Sequence, residues 1–286
     1  MDYLFNRFAN TFDTLHNAWE QDKTHRMVSA CLVAIFLLSL MIIELNRQGW
    51  LPVEFQTVIS TSHYQAINLA FWLVLILEVV SLIFALPSSM SKALGKQFEI
   101  LALIFLRSCF KELSALPEPI DITGHHDVLW HILAYGGGAV AIFGLLGIYL
   151  SLRKKLDKVL SKGPRLDRFI KAKKSVAFCM LMIFIGLGAT DIYLMFTGGE
   201  PFDFFHYFYT ILIFSDILLV LIAQSFLPQF PAIFRNSGYA LATLLIRLSL
   251  TAPVYYNVLI GIFSIIFALL ITLVYNRFYT IRKNPD

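Results

Sequence analysis

Cysteine and charge are both scarce in this chain: three cysteines in 286 residues, and only 15% of residues charged. Cys31, Cys109 and Cys179 all fall inside apolar segments. They make no CxxC pair and no spacing suited to a disulfide framework, so they read as small core-like hydrophobes. The chain has no phosphate-binding loop, no GxSxG elbow, no zincin helix and no dinucleotide fingerprint. No nucleophile stands beside a base, and the expectation is a protein that is not an enzyme. The N-terminus lacks a basic stretch followed by a short apolar core, so no cleavable signal is expected.

What is present is apolar surface. Hydrophobic residues make up 58% of the chain, 26 of them Phe, and the mean hydropathy is +0.70. A water-soluble domain cannot hide that much, whereas membrane spans can. Apolar runs occur at 27–46, 66–86, 97–114, 128–152, 174–197, 204–227, 237–253 and 255–278. Each is near the roughly 20 residues needed to cross a bilayer core. The predicted fold class is therefore all-α and polytopic, with eight spans. Pro253 and the combined length oppose reading 237–278 as one helix.

Before the first span, Leu4, Phe5, Phe8, Phe12, Leu15 and Trp19 recur every three or four residues. That makes one apolar stripe on a helix over residues 1–25. The segment is too polar to span. It lies either along the membrane surface or against the protein's own cytoplasmic side.

The basic residues give the orientation. The N-terminus, the turns 87–96 and 228–236, the linker 153–173 and the C-terminal tail hold 19 of the 23 Lys and Arg, counting Lys174 with the linker. By the positive-inside rule both termini are cytoplasmic. The expected setting is a bacterial inner membrane, with the lipid bilayer as the main partner. The basic side follows from that rule and does not indicate nucleic-acid binding. Nine acids and two bases face the other side.

The chain also reads as two copies of one unit. LALIFLR at 101–107 matches LATLLIR at 241–247, and VSACLVAIF at 28–36 matches VAFCMLMIF at 176–184. The fourth helices end alike, in GIYLSLRKK and TLVYNRFYTIRK. Four spans per unit make the two copies parallel. The expected division is an amphipathic helix at 1–25, a first four-helix repeat at 26–152, a basic linker at 153–173 and a second repeat at 174–286.

Each repeat carries a buried acid and a buried arginine: Glu78 with Arg107, and Asp216 with Arg247. A charge at mid-bilayer costs about 3 kcal/mol even on lenient scales, so such residues are rarely idle. Counted from the cytoplasmic ends of the predicted spans, all four lie at similar depth, about 12–16 Å in. Equal depth on antiparallel neighbours lets partners meet. They then serve either as an ion or proton pathway or as a structural pair that fixes helix register.

A second cluster faces outward: Asp121, His125, His126, Asp127 and His131. Asp121/His125 and Asp127/His131 are both four apart, a spacing able to hold zinc or another divalent ion. The alternative is a polar loop at the headgroup boundary. No other cofactor is implied. Gly136, Gly137, Gly138, Gly144 and Gly147 thin the fourth span, and Gly186 and Gly188 the fifth, which allows close helix approach. These features point to a channel or transporter for protons, cations or a small solute. The competing reading is a non-catalytic subunit that anchors a larger membrane complex or a homo-oligomer.

Overall fold

A computed structural model describes residues 2–50, 52, 61–116, 124, 126–154, 164–197, 204–226 and 230–283. Among the described residues all regular structure is helical. The helices are α1 (Asp2–Trp19), α2 (Asp22–Arg47), α3 (Tyr64–Ala85), α4 (Met90–Glu112), α5 (His126–Lys154), α6 (Pro164–Thr197), α7 (Phe204–Phe226), α8 (Phe230–Thr251) and α9 (Tyr256–Lys283). A single 3-10 turn, Leu113–Ala115, follows α4.

Six of these are long and apolar enough to cross a membrane: α2, α3, α5, α6, α7 and α9. Of the three that fall short, α1, α4 and α8, the last two carry Arg107 and Arg247. Both start earlier than their apolar runs. The Ser89 side chain accepts a bond from the Lys92 amide at 3.2 Å, and this cap sets the start of α4 at Met90 rather than near residue 97. Helix α8 starts at Phe230 rather than near 237. Helix α6 likewise starts at Pro164, a residue suited to a first helical position, so half of the expected linker is helix.

The break between α8 and α9 falls where proline demands it. The ring of Pro253 supplies no amide hydrogen, and the chain reverses over Ala252–Tyr255, with Tyr255 at φ 73°. The side chain of Ser249 then donates to the Asn257 carbonyl at 2.6 Å, which locks the turn.

Helix order dictates two faces. The ends near Trp19, Ala85, Met90 and Lys154 share one face, here the terminal face. The ends near Arg47, Tyr64, Glu112 and Tyr256 share the opposite one. Contacts at each face agree with this. Tyr149 donates to the Ser91 carbonyl at 2.9 Å and Lys173 to that of Ser88 at 2.9 Å, both at the terminal face. His63 meets Glu44 at 3.1 Å on the other side.

Two cores hold the molecule together. The first joins α4, α5, α8 and α9 through Phe98, Phe105, Ile142, Tyr149, Tyr239 and Ile265. The second joins α3, α6 and α7 with α1, through Ile83, Phe84, Phe184, Phe208 and Phe12. Of the two placements open to α1, packing on the protein is the one observed. Phe8 stacks on Phe178, Phe12 is buried against Phe84, and Asp13 meets Lys174 at 2.6 Å.

Only part of the glycine run works as expected. A Cβ on Gly138 would lie 2.6 Å from Val258, so α5 and α9 touch there; Gly137, Gly144, Gly147 and Gly186 face open space. The tightest approach is at Gly238, where Ile271 of α9 occupies the room a side chain would need.

Helices pack in the same order in both halves: α2 on α3, α3 on α4, α4 on α5, then α6 on α7, α7 on α8, α8 on α9. Across the halves α4 meets α8 and α5 meets α9.

Candidate functional site: a cleft ending on Glu78 and Arg107

A cleft of about 900 Å³ opens at the face opposite the termini and runs inward between α3, α4 and α7. Its polar lining starts with Gln65 and Asn68 at the mouth of α3, passes Trp72, and ends on Glu78. With Leu75 between Trp72 and Glu78 these positions are three or four apart, so they form one stripe down α3, polar at its two ends. Helix α4 contributes Lys111 and, one turn further in, Ser108 and Arg107, and Tyr135, Asn257 and Thr251 close the side formed by α5, α9 and α8. Six helices from both halves of the chain thus build the walls.

At the floor, Nη1 of Arg107 lies 2.5 Å from Oε1 of Glu78. The contact is close but not aligned as a hydrogen bond, and both Glu78 oxygens are buried without an aligned donor. Glu78 is 8% exposed, while the Arg107 side chain is 24% exposed toward the cleft. The expected partnership forms, although counted from their helix ends the two residues are not level. Arg107 stands seventeen residues into α4, about 25 Å from its start, whereas Glu78 is about 10 Å from the end of α3. Side chains on a helix lean toward its N-terminus. On these antiparallel helices that tilts Glu78 and Arg107 toward each other along the axis, which helps close the offset.

The second acid and arginine are placed differently. Asp216 and Arg247 are both buried, but among the described residues they make no ion pair within 4 Å. Thr243 and the charge of Arg247 are the polar surroundings of Asp216. Nε and Nη2 of Arg247 have no aligned acceptor, and its guanidinium lies 6.0 Å from the ring of Tyr209. Tyr209 lines the cleft on one side and faces Arg247 on the other, and the charge of Glu78 also reaches it. One charge from each pair, Glu78 and Arg247, therefore reaches the same aromatic wall. The sequence reading did not single out Tyr209, because an aromatic residue in a Phe-rich span gives no signal of its own.

A second, smaller hollow of about 210 Å³ lies on the terminal side of Glu78. Trp19, Thr24, His25 and Ser29 line it from α1 and α2, and Glu78 and Ser81 from α3.

The outward His/Asp cluster is not assembled among the described residues. Asp121 and His125 lie outside them. His126 and Asp127 begin α5 and are exposed. His131 turns to Glu112, Nδ1 to carboxylate 3.0 Å, and packs edge-on against Tyr255. Among the described residues no three His, Cys, Asp or Glu side chains are placed to hold a metal ion.

The class this defines is an all-helical protein with six helices able to span a membrane and a polar cleft between its halves. Comparison with family models, curated proteins and solved structures gives no match.

Proposed function

We propose that the chain is an integral membrane channel or transporter for protons, cations or a small solute. In this reading all eight predicted spans cross the bilayer, with both termini cytoplasmic. The observation that carries it is the deep polar cleft ending on a buried acid–arginine pair. Apolar side chains such as Leu69, Phe71, Leu75 and Ile104 share the lining, but the Gln, Asn, Ser, Lys and Tyr groups among them would be costly to keep within a membrane merely for packing, because each polar group there needs a partner. The two-copy organisation belongs to the same proposal. The matching packing order of the halves supports it, as does the position of Arg107 and Arg247, each seventeen residues past the first residue of its helix.

A second reading, a subunit that anchors a larger complex, draws on α2. Almost none of that helix is buried, and Val33, Leu37, Leu38 and Met41 are exposed. Flux into proteoliposomes under proton, potassium and sodium gradients separates the two. Transport predicts flux that Arg107→Ala/Arg247→Ala protein lacks. Folded protein giving no more flux than empty liposomes, with another protein co-purifying in stoichiometric amount, would establish the anchoring role instead.

A further inference from the structure

We propose that Glu78 is a proton relay that joins the cleft to the hollow, and that the second acid–arginine pair lies off this path. The inference rests on the transport reading and names the proton as the species that passes.

Glu78 borders both cavities. It lies about 21 Å from the cleft end of α3 and about 10 Å from the terminal end, so its carboxylate separates a long inlet from a short outlet. Both oxygens are buried, and neither receives an aligned hydrogen bond from the protein. Beyond its contact with Arg107 the carboxylate thus keeps acceptor capacity that the protein does not fill.

The charged and titratable groups around Glu78 favour a proton over a metal cation. Arg107 stands at contact distance from α4. Lys96, also on α4, adds its charge from further off while held by Glu99 at 2.9 Å. Tyr209 approaches from α7, and His25 from α2 across the hollow. On α6, Lys173 is turned away to the Ser88 carbonyl. A sodium or potassium ion would need several oxygen ligands beside a fixed guanidinium. A proton needs one oxygen and no coordination shell.

The step balances without a co-reactant. A hydronium ion entering the cleft gives its proton to one Glu78 oxygen and becomes water, the carboxylate becomes a neutral acid, and Arg107 keeps its charge. The same proton leaves toward the hollow and restores the carboxylate. His25 borders that hollow, its ring 6.1 Å from that of Trp19. The hollow's small size suits water and protons and not a bulky solute. Asp216 borders neither cavity, which sets the second pair apart from the route.

The test loads proteoliposomes with a pH-sensitive dye and drives protons with a potassium diffusion potential. Wild type, Glu78→Gln, Glu78→Asp and Asp216→Asn are compared. Wild type acidifies the lumen, Glu78→Gln slows this at least about tenfold as expected for loss of the transferring group, and Glu78→Asp and Asp216→Asn retain it. Glu78→Gln flux equal to wild type overturns the relay. So does sodium or potassium movement without protons, which would leave the transport reading standing. Folded wild type that moves no ion at all ends both. If Glu78→Gln fails to fold, Ser81→Leu, which fills the hollow, serves instead: slowed proton flux supports the relay, and unchanged flux overturns it.

Discussion

The two acid–arginine pairs start from the same sequence device and end in different environments. Glu78 and Arg107 touch at the floor of a cleft, whereas Asp216 and Arg247 are sealed behind Tyr209 and do not touch. The arginines hold equivalent places in α4 and α8, so helix register does not explain the difference. The neighbours do. Helix α3 lines the cleft with Gln65, Asn68, Trp72 and Leu75 down to its acid. The matching turns of α7 pack Phe204, Phe208 and Leu212 into the second core. One pair can exchange with water, and the other must be stabilised by the protein alone.

Arg247→Ala should give the largest loss. It leaves Asp216 as an uncompensated buried charge, expected to cost about 3–5 kcal/mol. Arg107→Ala should cost less, since the cleft can hydrate Glu78. Thermal unfolding in detergent checks the order, and a larger shift for Arg107→Ala would undo the contrast drawn here.

Chemical access sharpens the same comparison. In a background without Cys31, Cys109 and Cys179, Ser108→Cys should react readily with a charged thiol reagent. Thr243→Cys should react about 100-fold more slowly, because reaching it requires a local opening worth about 3 kcal/mol. Equal rates would mean that both arginines sit in water.

Within the first pair, Arg107→Ala should be more destabilising than Glu78→Gln/Arg107→Gln by about 1–2 kcal/mol, because the double change leaves no lone charge. Additive behaviour in a double-mutant cycle would show that the 2.5 Å contact carries no coupling.

The smallest effect is expected at α1, which has no counterpart in the second half. Asp13→Asn removes the bond to Lys174, a half-exposed pair, and should cost about 0.5 kcal/mol or less, fading as salt is raised. A larger loss would make α1 an integral part of the core.

Much of this fold could be read from the chain. Every predicted apolar run falls within one of the helices or overruns it by a residue or two, and Pro253 marks the one break that length alone leaves open. The charged residues were legible too, since an acid or arginine amid Leu, Ile and Phe is conspicuous. Depth was not legible. Composition marks where apolar residues begin, but a polar turn beginning at Ser89 or Phe230 belongs to the helix and shifts the level of every residue counted from it. Partnership across the chain was not legible either. That His131 would choose Glu112 over Asp127 depends on α4 and α5 lying side by side, which local spacing does not encode.

The short link Ala252–Tyr255 bears on how such a protein is made. If α8 and α9 both cross the bilayer, as proposed above, four residues are too few for α8 to settle in the membrane while α9 waits in water, and the two helices enter as one hairpin. Arg247 lies five residues before that link. On that reading it is carried into the bilayer with α9 already beside it, and no intermediate exposes its guanidinium to lipid on every side.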